Sequence, residues 1–85
     1  MKNFCIEYIN NERKNAFVFA RRLSTFEFEL RENSRLGTIE LKPILNQPRA
    51  LQKDGTPDLN VFAFYPKDRG KLKEISIGDI LELRE

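Results

Sequence analysis

Phe26-Glu27-Phe28-Glu29-Leu30-Arg31 alternates bulky apolar and charged residues without a slip, and the same beat recurs along most of the chain. A strand turns successive side chains to opposite faces, so this register makes a ribbon greasy on one side and charged on the other. The preceding Ser24-Thr25-Phe26-Glu27 matches a helix capping box, which raises a rival helix. In that helix Phe26 and Leu30 share a face while Phe28 points to water. The extended form buries all three together, and is therefore preferred.

Four further runs carry strand signals. Phe4, Ile6 and Tyr8 fall on one face by simple alternation. After the turn-prone stretch Asn10–Asn15, Ala16-Phe17-Val18-Phe19-Ala20 resumes, and the two runs read as an opening hairpin. Thr38–Lys42 is a further strand that Pro43 ends by removing a backbone donor. Leu59–Tyr65 is apolar on both faces, the pattern of a strand covered from both sides. The weakest passage is Arg21–Thr25, which must bend the chain without glycine, asparagine or proline.

Near the end, Gly78-Asp79 separates Ile75-Ser76-Ile77 from Ile80-Leu81-Glu82-Leu83, a turn or bulge in which Gly78 is free to take a positive φ. This strand–Gly-Asp–strand corner resembles those of many small barrels, SH3-like and OB-like folds among them. Between 47 and 52 a short helical turn, with Pro48 at its first position, competes with an irregular crossing. Lys53–Asp58 reads as loop.

Eighty-five residues, 40% hydrophobic and 33% charged, make one small globular domain spanning 1–85. Seven Phe and two Tyr are its main core material. Five or six short antiparallel strands in so short a chain cannot leave a flat sheet half exposed. The expectation is all-β: a small, partly open β-barrel.

The chemistry is sparse. There is no histidine, which removes the commonest general base and the commonest partner of a nucleophile. Cys5 stands alone inside a strand pattern and reads as a structural thiol. One cysteine without histidine cannot build a tetrahedral zinc site, so no metal is expected. Asp54 and Asp58 frame a loop but lack the dense oxygen ligands of a calcium site. Glu27 and Glu29, about 7 Å apart on one strand face, read as solubilising charge rather than a catalytic pair. Four scattered glycines make no phosphate-cradling loop, and no cofactor is implied. The chain reads as non-enzymatic.

Binding remains, and two classes of partner compete. Lys67, Arg69, Lys71 and Lys73 directly follow Phe62, Phe64 and Tyr65, setting cations beside aromatics. Single-stranded DNA or RNA needs that combination, since cations attract phosphates and rings stack on splayed bases. Arg21 and Arg22 extend the patch if the fold brings them near. The rival is a protein–protein interaction module (adaptor, small inhibitor or assembly subunit) using Phe62, Phe64 and Tyr8, with a homodimer as its simplest version. The net charge of +2 is too small for charge-driven DNA binding of a histone-like kind. The lone cysteine, the charged N-terminal run and the shortness of every apolar stretch point to a cytoplasmic protein without a membrane partner.

Overall fold

A computed structural model describes residues 1–48, 54–56 and 58–85. It is nearly all-β. Six strands, β1 (Asn3–Asn10), β2 (Phe17–Arg22), β3 (Arg35–Leu36), β4 (Ile39–Glu40), β5 (Val61–Phe64) and β6 (Ile80–Arg84), lie in the order β4-β3-β6-β1-β2-β5. Every pairing is antiparallel. The ends of this order approach each other through a bridge between Leu41 and Pro66 and another between Asn46 and Ala63. Lys42 donates to the Tyr65 carbonyl at 2.8 Å and Lys67 to that of Glu40 at 2.9 Å. The sheet thus curls into a small, partly open barrel, as its period-two pattern requires. Among the described residues no helix is long and apolar enough to cross a membrane.

The interior is built around Phe4, which is fully buried. Its ring meets those of Phe26, Phe28, Phe62 and Phe64 edge-on, with centroids 5.1–6.2 Å apart. Such contacts add about 0.5–1.5 kcal/mol per pair beyond the burial of area. Ile6, Val18, Leu36, Ile39, Leu41, Leu72 and Leu83 complete the core.

Local expectations change in three dimensions, and one short helix appears that the sequence pattern does not announce. Tyr8 does not share a face with Phe4 and Ile6, because a bulge between Ile6 and Tyr8 adds a residue to β1. One extra residue in a period-two structure sends the next side chain to the opposite face. Phe26–Arg31 is extended, and its faces divide as the alternation demands: Phe26, Phe28 and Leu30 pack on the core while Glu27, Glu29 and Arg31 are exposed. It joins no ladder, however. Side chains serve its backbone instead, the Glu29 amide donating to Glu85 Oε2 and the Arg31 amide to Ser34 Oγ. Of Thr38–Lys42, only Ile39–Glu40 forms strand, followed by the Leu41 bridge. Finally, Arg69–Glu74 is a 3-10 helix, its entry capped by the Asp68 carboxylate accepting from the Gly70 amide and its buried Leu72 docked on the core.

Gly78 takes the expected positive φ (+96°), but Ile75-Ser76-Ile77 before it forms no strand, because the chain leaves the 3-10 helix directly into this turn. The turn is tacked onto β1, the Gly78 amide donating to the Ile6 carbonyl and the Ile6 amide to the Asp79 carbonyl. Of the candidate helical turn over 47–52, residues 49–52 lie outside the described residues.

Candidate functional site: the outer face of the sheet

The nine aromatic side chains form two separate groups, one on each side of the sheet. Phe4, Phe26, Phe28, Phe62 and Phe64 are inside; Tyr8, Phe17, Phe19 and Tyr65 are outside, in contact with one another. The expectation that aromatic residues serve mainly the core therefore holds for only part of them.

Strand register explains the outer group. Tyr8 pairs with Phe19, Phe19 with Ala63, and Ala63 bridges to Asn46. The neighbouring row runs from Asn10 to Phe17 and on to Tyr65, whose carbonyl binds the Lys42 amide. Ring centroids lie 5.0 Å apart for Phe17–Phe19, 5.6 Å for Tyr8–Phe19 and 6.5 Å for Phe17–Tyr65. Tyr8 is about half exposed and the other three are half-buried, mainly against each other. An outward face normally carries polar residues. Here it carries a platform of rings.

A shallow depression of about 330 Å³ opens in this platform, lined by Asn15, Phe17, Phe19, Asn46, Gln47, Pro48, Ala63 and Tyr65. Asn46 Nδ2 donates to the Tyr65 hydroxyl at 2.8 Å, and Gln47 Nε2 to the Leu59 carbonyl at 3.0 Å. Both amides are thereby anchored at the rim.

The sequence-derived cations scatter. In an extended strand Lys67, Arg69, Lys71 and Lys73 would share one face, but a 3-10 helix turns about 120° per residue and splays alternate side chains around its axis. Lys67 Nζ donates to the Glu32 carbonyl. The Arg69 guanidinium reaches Asn11 Oδ1 at 3.3 Å, beside the β1–β2 loop. Lys71 pairs with Glu74 at 3.4 Å and lines a different depression with Arg35, Glu40 and Asp68. Lys73 is exposed on the helix. Of these four, Arg69 stays near the platform by way of Asn11 and Lys67 by the short link from Tyr65, while Arg21 follows Phe19 on the outer face of β2.

Arg21 and Arg22 serve the structure. Arg21 is held by Glu7 and by Asp58, each with a contact of 2.7 Å. The hydrogen bonds that Arg21 donates to Glu7 and then to Asp58 raise the already high guanidinium pKa, so Arg21 stays charged. In return the Arg21 guanidinium, followed by the Asn60 amide, holds the Asp58 carboxyl below its ordinary range. Arg22 donates to the Phe26 carbonyl and to Asn60 Oδ1, and its guanidinium lies 5.6 Å from the Phe62 ring centroid and 5.9 Å from that of Phe26. It fastens the exit of β2 to the core.

Phe62 and Phe64 are buried and offer no ring to a partner; of the three residues of the protein-docking reading, only Tyr8 is exposed. Asp54 accepts from the amide and hydroxyl of Thr56, which spends it on the turn.

Sequence reasoning missed Phe17 and Phe19 as surface residues and Lys42 as the cation beside Tyr65. The alternation does place Lys42 opposite in facing to Leu41, but its neighbour is set by a contact between distant parts of the chain. Compared with protein families, curated proteins and solved structures, the chain matches none. The fold and its outer face define a small, partly open β-barrel with an aromatic surface, and the functional reading rests on that surface.

Proposed function

We propose that this protein is a non-enzymatic module that binds single-stranded nucleic acid across the outer face of β1, β2 and β5. The observation that carries the reading is the platform of Tyr8, Phe17, Phe19 and Tyr65, four outward rings on β1, on β2 and just past the end of β5. Unpaired bases stack on such rings whatever their identity, because every base has a π-face. Phosphates then need cations at the edge of the platform. Lys42 stands beside Tyr65, Arg69 reaches the β1–β2 loop, and Arg13 and Lys14 are exposed within that loop. Their number is modest, so stacking carries more of the affinity than charge does.

The test is fluorescence anisotropy of labelled single-stranded DNA and RNA oligonucleotides at low ionic strength, with Phe17→Ala and Phe19→Ala as variants. Binding by the natural protein that both substitutions weaken while the thermal transition persists is the expected result. No binding to any single strand at low salt overturns it.

Exposed Ile44, Leu45 and Leu59 favour a second reading, in which the same face docks on a protein, in the simplest case a second copy. Gln47 bonds to the Leu59 carbonyl, which places Leu59 at the rim of the depression. That reading predicts a dimer in light scattering that Phe19→Ala dissociates. A monomer that binds oligonucleotides decides for the first.

A further inference from the structure

The platform has a notch, and its lining identifies what fits there. In the central square of the outer face, Phe17, Phe19 and Tyr65 are rings and the fourth position is Ala63. Ala63 is 4% exposed, so its methyl is a floor and not part of the rim. We propose that the depression over Ala63 receives a single nucleobase extruded from the bound strand, flat against the rings and with its edge toward Asn46 and Gln47. This rests on the nucleic-acid reading and deepens it.

Two features point to a base in particular. First, none of the described residues lining the depression is charged. A phosphate or a metal ion finds no counter-charge among them, whereas a neutral planar heterocycle has rings on one side. Second, the polar groups at the rim have the right chemistry. A primary amide carries two N–H donors and a carbonyl acceptor. Asn46 and Gln47 each use one donor internally, toward the Tyr65 hydroxyl and the Leu59 carbonyl. Those contacts fix the two amides, and among the described residues no other side-chain bond occupies them. The remaining donor and acceptor of each amide match the paired donors and acceptors on a base's Watson–Crick edge. Lys42, exposed and with its amide on the Tyr65 carbonyl, would supply the charge for the adjoining phosphate.

The consequence is unequal affinity for different bases at one position of an otherwise sequence-tolerant site. Anisotropy titrations with labelled homopolymers of each base, at low ionic strength, measure it. The natural protein should separate the best from the worst homopolymer by roughly tenfold, the scale of one well-made pair of amide–base hydrogen bonds. Ala63→Leu, which fills the notch, and Asn46→Ala should each flatten the series while leaving the salt dependence unchanged. Because Ala63→Leu can disturb the sheet, amide-selective NMR on the natural protein supplies a second arm. The Asn46 and Gln47 side-chain NH2 signals should shift with the preferred homopolymer and not with its abasic counterpart.

Free nucleosides at millimolar concentration distinguish a strand-borne base from a small-molecule ligand. Shifts produced by nucleosides but by no oligonucleotide overturn the proposal. Equal, salt-sensitive binding of all homopolymers overturns the notch but leaves the platform standing. Absence of any oligonucleotide binding removes both.

Discussion

Tyr8 lies directly across from Phe19 on the outside of the sheet, their centroids 5.6 Å apart, although Phe4 and Ile6 of the same strand point into the barrel. The bulge at Glu7 is the cause. Without it Tyr8 would join the core and the outer platform would lose one of its four rings. The bulge thus divides β1 into a half that builds the interior and a half that displays a surface.

That division makes the two ring groups separable by experiment. Phe4→Ala removes the hub of the interior cluster and should cost about 3–5 kcal/mol. Against a total stability of roughly 4–13 kcal/mol for a chain of this length, that removes from about a quarter of the margin to all of it. Phe19→Ala, on the outer face, should cost far less and leave a cooperative transition in urea. Urea denaturation of both variants checks the contrast. Equal losses would mean that the outer rings are structural.

Lys42 should govern the salt response more than the cations of the 3-10 helix do. Each phosphate contact on a single strand contributes about 0.7 to the slope of log K against log salt. Lys42→Ala should reduce the slope by roughly that amount, and Lys71→Ala, whose ammonium pairs with Glu74, by little. Anisotropy titrations across a salt series read the difference directly.

Acid should loosen the fold through Asp58 and Glu85. The Arg21 guanidinium holds the Asp58 carboxyl low, and Lys2, with the Glu29 amide, does the same for Glu85. Each carboxyl is lower in the folded chain than in the unfolded one, where carboxyls titrate near 4. Their stabilisation is therefore complete above about pH 4 and is lost as pH falls through the folded values. Asp58→Asn should lower Tm at pH 7 and give a shallower decline of Tm below about pH 4 than the natural protein shows. Calorimetry over a pH series tests this.

Gly37 should not tolerate alanine. It begins the two-residue turn Gly37-Thr38 between β3 and β4, with φ +62° followed by a residue of negative φ, the II′ pattern. A Cβ there would also stand 3.1 Å from Leu81 Cδ2. Gly37→Ala should destabilise by about 1–2 kcal/mol. Chemical denaturation measures it, and an unchanged midpoint would refute the argument.

The all-β barrel was legible because period-two alternation is local: each residue's neighbours in sequence decide which side it faces. Strands around Phe4–Tyr8, Phe17–Ala20, Val61–Phe64 and Ile80–Leu83, and the positive φ of Gly78, follow from it, whereas the strand expected at Ile75–Ile77 does not form. The extended Phe26–Arg31 segment shows the limit. Its inward and outward residues were readable, while its want of a ladder partner was not, since pairing depends on what the rest of the chain brings alongside.

The site was less legible, for a related reason. In Phe17-Val18-Phe19-Ala20 both faces are apolar, so alternation cannot tell inside from outside. The choice is made by space. Ala20 lies between Ile6 and Phe62, where a small side chain leaves room for the rings of the core, and this turns Phe17 and Phe19 outward. The chain's own pattern therefore determined that there would be a two-faced sheet closing on itself. Which aromatics became surface, and that Lys42 and Asn46 would border them, was decided only by register between distant strands, because packing volume and backbone pairing are properties of the assembled barrel.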